Sequence, residues 1–216
     1  MATGLTYSSL ISDLQSYAQR GNAVSDASVL EELPRIVNRC EVGLARKLKI
    51  QGDQITVTGT MNPSESGVVA KPVNWLDTIS INYGTGNNTR TSLYPRSYEY
   101  ALVYWPDRTE QDAPEYYADY DLEHWLFFPS PDDEYPFEVL YHGLPQLLDS
   151  SNQSNWLTEQ MPDVLLNDCV AAFGAYLGWS NDEVQVFAAL RDDALGQVTK
   201  QEMMKIIDRA TARRSA

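Results

Sequence analysis

The sequence predicts an α+β fold, in which N- and C-terminal helices form a helical bundle and an antiparallel β unit is inserted between them. Apolar residues recur at helical spacing near both ends of the chain but alternate with polar residues in the middle. A chain of 216 residues with 43% hydrophobic content can bury a sizeable core. We therefore expect N-terminal helices of the bundle in residues 1–51, an inserted antiparallel β domain in residues 52–147, and C-terminal helices completing the first domain in residues 148–216.

The N-terminal segment predicts two helices. Leu10 and Tyr17 fall on one face of the first helix, and Gly21 ends it. Proline is favoured at the first position of a helix and disfavoured in its interior. We therefore expect a short turn before Pro34 and a main helix from Pro34 to about Leu48.

The middle segment predicts a series of short strands. Alternation at residues 55–58, turn chemistry at residues 62–67 and an apolar run at residues 68–70 predict a β-hairpin. Helical spacing predicts one short helix from Ser97 to Trp105. Further strands are expected near residues 79–83, 91–93, 116–118, 125–128 and 137–141.

The C-terminal segment predicts two more helices. Pro162 suits the first position of one helix, which Gly178 ends. Ser180 and Glu183 have the spacing of a capping box, so a final helix is expected from there to about Ile207.

Charge is strongly segregated along the chain. Thirty acidic residues against 16 Lys and Arg give a formal charge of −14, which argues against a general nucleic-acid binder. Residues 107–138 hold eleven acids against Arg108 alone. These acids form either a solvated face that also protects strand edges, or a surface that repels phosphate or meets a basic partner. Five cations lie in residues 35–49 and five in residues 200–214, a distribution typical of a protein that assembles through unlike surfaces.

Reactive groups are few and lie outside recognisable catalytic motifs. His124 and His142, the only histidines, lack the spacing of a zinc-binding HExxH helix. Cys40 and Cys169 lie in helix-patterned segments, where we expect small core residues and no metal site. The aspartates of residues 119–121 could offer oxygen ligands to calcium, but they do not follow the EF-hand order. No motif therefore indicates a catalytic site or a cofactor.

Six segments, taken in order, resemble tailed-bacteriophage head-to-tail adaptor proteins, also called connector or head-completion proteins. The segments are YSSLISDL at 7–14, LPRIVNRCE with LARKL at 33–48, KPVNWL at 71–76, APEYYA at 113–118, FFPSP at 127–131, and WL with MPDVLL at 156–166. The resemblance covers nearly the whole chain. Lys71 and Ala113 stand where the family usually has leucine and glycine, and Val42-Gly43 replace Gln-Arg.

The resemblance implies a non-enzymatic virion protein at the head–tail interface, or neck. It implies a homo-oligomeric ring of twelve copies between the portal and the tail or nozzle, with DNA passing through the lumen without specific binding. Portal, tail or nozzle, and fibre proteins are the implied partners. The absence of an export signal and of a stretch of about 20 apolar residues predicts synthesis in the host cytoplasm and no membrane contact.

Two alternative functions remain open from the sequence. The first is a phage tail or receptor-binding module whose β domain binds carbohydrate through the Tyr, Trp and Phe residues of segment 94–128. The second is a glycosidase, which needs two acidic residues at a defined separation. Acidic residues are abundant, but their abundance does not show which two lie at that separation.

Two sets of contact residues are predicted. A cationic strip near the C-terminus is expected to bind the portal, with DNA as a rival partner and, for Arg209, helix capping as the simpler explanation. Its residues are Lys205, Arg209, Arg213 and Arg214. A second surface is expected to serve tail-side or inter-subunit contacts. Its residues are Tyr116, Tyr117, Asp132, Asp133 and Glu134.

Overall fold

A computed structural model describes residues 4–19, 27–48, 53–84 and 90–212, with side chains described at 4–17, 29–48, 53–84, 90–201 and 203–204. The chain divides into two compact units. The helical unit combines the described parts of residues 1–53 with those of residues 145–216, and the β unit is Gln54–Leu144.

The fold is mixed α/β, with six helices among the described residues and a seven-stranded sheet that closes nearly into a barrel. The predicted fold class, a helical bundle with an inserted antiparallel β unit, is therefore wrong. The sheet is mixed, since Tyr94 and Pro95 of one strand pair in parallel with Tyr116 and Tyr117 of another. Local sequence patterns indicate which residues are extended, but not which strands pair over long distances or in which direction.

The helical unit contains five helices with one common core. They are α1 (Tyr7–Gln19), α2 (Ala27–Lys47), α4 (Trp156–Gln160), α5 (Pro162–Tyr176) and α6 (Asn181–Ala212). Residues of α1, α2 and α5 such as Leu14, Leu33 and Phe173 are fully buried in that core. Helix α5 is buried on several sides, and partly buried residues of α6 such as Phe187 and Val198 pack against the same core.

Helix α2 differs from the sequence expectation at its start. It begins at Ala27 and contains Pro34 in its interior, so no turn precedes the proline. Val29 and Leu30 are packed against the core, and Leu33 is fully buried. The packing of Val29, Leu30 and Leu33 therefore outweighs the loss of the backbone hydrogen bond that a proline removes from a helix.

Several predicted helix ends are confirmed. Helix α3 (Tyr98–Tyr104) lies in the β unit, and the Ser97 hydroxyl accepts a hydrogen bond from the Tyr100 amide. At the start of α6, the Glu183 carboxylate accepts hydrogen bonds from the amide and hydroxyl of Ser180, which completes the predicted capping box.

The β unit is one curved sheet with the strand order β1-β7-β3-β4-β5-β6-β2. The strands are β1 (Gln54–Met61), β2 (Val68–Ala70), β3 (Trp75–Gly84), β4 (Arg90–Pro95), β5 (Tyr116–Asp119), β6 (His124–Phe128) and β7 (Tyr135–Gly143). The hairpin predicted at residues 55–70 does not form. Val57 of β1 instead pairs with Val139 of β7, and Val69 of β2 pairs with Trp125 of β6.

The sheet is covered on both faces at β6. In β6, Trp125 and Phe127 belong to one buried cluster, while Leu126 and Phe128 belong to another that also includes Ala101 of α3. Alternate residues of a strand point to opposite faces. Coverage on both sides therefore explains why β6 is an unbroken apolar run.

Glu41 joins distant parts of the helical unit through a buried carboxylate. The residue has 0% exposure. Its carboxylate accepts hydrogen bonds from the Asn155 side-chain amide at 2.6 Å and from the Leu148 backbone amide at 3.1 Å. Asn155 is also the N-cap of α4. The carboxylate therefore connects α2 to the chain segment that enters α4.

Replacing Glu41 with glutamine is expected to change how stability depends on pH. Burial raises the pKa of the Glu41 carboxyl, although its hydrogen bonds with Leu148 and Asn155 act in the opposite direction. The folded protein therefore holds this proton more tightly than the unfolded chain, whose pKa is about 4. The contribution of Glu41 to stability falls as pH rises through that range. Urea unfolding from pH 4 to 8 should show Glu41→Gln gaining stability relative to wild type.

A matched control is Glu159→Gln, because Glu159 is an exposed acid of the same unit. Its stability relative to wild type should change less over the same pH range. A second control, Glu41→Ala, should cost about 1–3 kcal/mol because it leaves the buried Leu148 amide without an acceptor and removes one of the two acceptors of the Asn155 side-chain amide. A Glu41→Gln curve parallel to wild type at every pH would contradict the burial argument.

Candidate functional site

After Val198, the side chains of α6 that the structure describes, at residues 199–201 and 203–204, are all exposed. Phe187, Leu195 and Val198 are partly buried against the core, whereas Met203 and Met204 are 61% and 64% exposed. From Val198 the helix continues for about 20 Å to its end at Ala212, at 1.5 Å per residue. This segment, residues 199–212, is called the distal α6 segment below.

The predicted cationic strip falls on and after the distal α6 segment. Lys205 and Arg209 lie on the helix, but their side chains are outside the described residues. Arg213 and Arg214 are also outside the described residues. The helix that carries the strip is attached through Arg191, whose guanidinium lies 2.8 Å from the carboxylate of Asp168 on α5.

Tyr116 belongs to a cluster of aromatic rings on one face of the sheet. Its ring stacks on Phe128 at 5.7 Å and lies 5.7 Å from Trp105 and 5.9 Å from Tyr100. The Arg96 guanidinium lies 5.1 Å from the centre of the Tyr116 ring. Because these rings contact one another, much of their area is used in packing and only part remains for a partner.

Tyr117 points to the other face of β5 and is buried. Its exposure is 6%, and it packs in the same cluster as Trp125 and Phe137. Burial raises the pKa of its hydroxyl, with smaller contributions from the charges of Asp119 and Asp77. The structure therefore separates Tyr116 from Tyr117, and Tyr117 contributes to the core.

The three predicted acids occupy the exposed turn between β6 and β7. Asp132 accepts a hydrogen bond from the Tyr135 hydroxyl at 2.6 Å, which raises the pKa of that hydroxyl. Asp133 accepts one from the Glu134 amide at 2.7 Å. Burial raises the pKa of nearby Tyr83, and the negative charges of Glu115, Asp132 and Asp112 raise it further. Acids from two chain segments therefore meet around Tyr83.

Neutralising the turn through Asp132→Asn, Asp133→Asn and Glu134→Gln together is expected to change the Tm by no more than about 2 °C, since exposed charges contribute little to stability. Asp121→Ala is the contrasting variant. One oxygen of the Asp121 carboxylate accepts hydrogen bonds from the amides of Glu123 and His124, and alanine removes this acceptor, so this variant should lower the Tm further than the triple variant does. Differential scanning calorimetry measures both. Unfolding of the triple variant at room temperature would show that the turn is structural.

Lys71 holds the β5–β6 turn from inside. Its side chain is 1% exposed, and its ammonium lies 2.8 Å from the Asp119 carboxylate and 2.8 Å from the Asp121 carbonyl oxygen. It also lies 3.6 Å from the centre of the Trp75 ring. Asp119 and Asp121, considered above as calcium ligands, thus both have protein partners.

The two cysteines lie in the core of the helical unit as free thiols. A hydrogen bond with Cys40, together with burial, raises the pKa of the Cys169 thiol. A thiol held protonated in this way is a poor nucleophile.

One surface feature was missed by sequence reasoning. The two edge strands of the sheet, β1 and β2, line the same cleft, whose volume is about 630 Å³. We call this cleft the seam. The sequence signal for this site is that β1 carries no charged residue. The predicted hairpin at residues 55–70 would have paired β1 directly with β2, which leaves no cleft between them.

Three features are characteristic of a protein that acts through contacts with other proteins: the exposed Met203 and Met204 of α6, the exposed acidic turns and the open sheet edge. The sequence matches the family described as SU10 adaptor protein over residues 5–215, and the chain belongs to that family. The resemblance to phage head-to-tail adaptors is confirmed. No curated protein matches the chain.

Family membership defines the general role of the protein. It is a bacteriophage adaptor, a structural component of the virion that interacts with other head and tail proteins. Within the described part of the chain, no helix is both long and apolar enough to cross a membrane.

Proposed function

We propose that the protein forms a homo-oligomeric ring of twelve copies between the portal and the tail or nozzle, in the neck of the virion. The observation that carries this proposal is the family match over residues 5–215, nearly the whole chain. DNA passes through the lumen of this ring without specific binding. The formal charge of −14 supports that part of the proposal, because a conduit should not adsorb a polyanion.

The portal contact is assigned to the distal α6 segment and the residues that follow it. Met203 and Met204 give this segment exposed apolar area. The cations Lys205, Arg209, Arg213 and Arg214 follow mostly at three- or four-residue steps. A helix with this composition suits an acidic partner surface that also offers an apolar groove.

The tail-side or inter-subunit contact is assigned to the face that carries Tyr116 and to the turn of Asp132, Asp133 and Glu134. Partly exposed aromatic rings supply contact area, and the acids would meet basic groups of a fibre, nozzle or neighbouring subunit. The adaptor acts without catalysis or a cofactor, and it is made in the host cytoplasm before assembly.

Purified protein, mixed with the cognate portal and separately with duplex DNA at moderate salt, tests the proposal. We expect portal binding, and DNA binding weaker than micromolar. Deleting residues 211–216 should weaken portal binding at least tenfold while the circular dichroism spectrum stays unchanged. Biolayer interferometry measures the affinities.

The double variant Arg35→Glu, Arg39→Glu is the matched control, because it alters the other cationic segment at two exposed positions of α2. It should leave portal affinity within about twofold, well under the 1.4 kcal/mol of a tenfold change. If the truncated protein binds the portal with full affinity while the double variant binds it more weakly, the portal contact belongs to residues 35–49. Micromolar DNA binding without portal binding would overturn the proposal.

A further inference from the structure

The seam is an interruption in an otherwise nearly closed sheet. One wall is formed by β1 at residues 57–60 and the other by β2 at Val68–Ala70. Trp125 and Phe137, both members of the buried cluster, also line the seam. The opening therefore gives access to the interior face of the sheet, where Val57 and Val69 are only half-buried.

The edge of β1 lacks the features that usually block pairing with another chain. Natural edge strands are commonly short, bulged, or protected by lysine or proline. Strand β1 has eight residues, QITVTGTM, with no charge and no proline. Its pairing with β7 runs without a register shift from Gln54 to Met61. In the described sheet its other side has no neighbouring strand, so alternate backbone amides and carbonyls on that side remain available.

Strand directions define how a segment would fit. Following the pairings around the sheet, β1 and β2 run in opposite directions. A strand placed between them would run antiparallel to one edge and parallel to the other. Four residues of β1 line the seam, which corresponds to about 13 Å of extended chain. Alternate side chains of such a segment would face Val57 and Val69, so they should be apolar.

Charge identifies the chemistry of the occupant. Glu65 is the one acidic residue among those lining the seam, and none of them is Lys or Arg. The β unit as a whole has 14 acidic residues against four cations, a formal charge of −10. A second β unit would bring the same charge and be repelled, whereas a cationic segment is attracted.

We propose that the seam is a strand-addition site, which takes an extended segment of another protein with apolar residues at alternate positions and Lys or Arg at its ends. Main-chain hydrogen bonds to β1 supply affinity, and the seam selects alternate apolar side chains. This inference does not depend on docking at the portal, which is assigned to the helical unit.

The probe for this proposal is a synthetic peptide of alternating valine and threonine with two lysines at each end. We expect saturable binding to the full-length protein by fluorescence anisotropy. Hydrogen exchange should slow at least tenfold at the alternate amides of residues 57–60 that do not pair with β7, because strand pairing protects backbone amides. A peptide with glutamates in place of the lysines should bind at least tenfold more weakly.

A matched pair of charge reversals tests the location. Glu65→Lys alters the wall of the seam, while Glu110→Lys makes the same change at an exposed residue outside the lining. We expect at least tenfold weaker peptide binding for Glu65→Lys and less than twofold for Glu110→Lys. The proposal is overturned by absence of binding at millimolar peptide, by equal effects of the two variants, or by binding without protection of residues 57–60. Portal affinity should be unchanged in Glu65→Lys, which separates this test from that of the ring.

Discussion

Replacing Trp125 with alanine is expected to lower the free energy of unfolding of the β unit by about 3–5 kcal/mol, the cost of truncating a fully buried aromatic residue. Trp125 has 0% exposure and is the second residue of β6. Its indole nitrogen donates a hydrogen bond to the Thr78 hydroxyl at 2.9 Å, so the variant loses this bond as well as packing, and the hydroxyl keeps only the bond from the Trp75 indole at 3.0 Å.

Two further variants separate these contributions. Trp125→Phe keeps much of the apolar area but removes the hydrogen bond, so we expect a loss of about 1–2 kcal/mol. Trp105→Ala removes a half-buried ring from the aromatic cluster and should cost less than Trp125→Ala. Hydrogen exchange measured by mass spectrometry gives the free energy of opening for the β unit separately. A loss below about 1 kcal/mol in Trp125→Ala would show that the barrel interior is not its main source of stability.

Alanine at Gly67 is expected to destabilise the β unit by about 2–4 kcal/mol, as the sum of two effects. Gly67 has a φ of 74°, in the left-handed region that side chains disfavour. An added Cβ would also overlap the carbonyl oxygen of Phe127, whose amide donates a hydrogen bond to the Gly67 carbonyl at 2.8 Å. The clash is with backbone, so β2 would have to move away from β6.

Gly178 provides an internal comparison. It has the same φ of 74°, but nothing lies within 4 Å of an added Cβ. Gly178→Ala should therefore cost only the conformational part, about 1 kcal/mol. Thermal unfolding of both variants distinguishes strain from overlap. Equal losses would mean that β2 shifts freely and that the overlap at Gly67 has no cost.

Local features of the fold were predictable because they depend on residues close in sequence. Ser97, Ser180 and Glu183 mark helix starts through hydrogen bonds that span three residues. Strand pairing was not predictable in this way. Val57 alternates as a strand residue should, but alternation identifies a face of the sheet and gives no information about the partner. Its partner, Val139, lies more than 80 residues away in the sequence.

The candidate surfaces show the same limit. Tyr116 and Tyr117 are equally aromatic and adjacent, and only the packing of both sheet faces decides that one is partly exposed and the other buried. Glu41 lies in one of the segments that resemble the adaptor family, but its structural role depends on Leu148 and Asn155, more than 100 residues further along the chain. Sequence alone located the charges and rings, whereas tertiary contacts decide which of them remain available to a partner.

The pairing of β1 with β7 also bears on how such a protein can diversify. The β unit begins at Gln54 and ends at Leu144, and Gln54 lies opposite His142 in the ladder. Opposed residues of an antiparallel pair are about 5 Å apart, so the chain enters and leaves this unit at nearly one point. An insertion whose two ends are neighbours can be exchanged for another of different size without stretching the helices that flank it. The closeness of its two ends is therefore the geometry that lets a β unit of this kind vary in size on a constant helical unit.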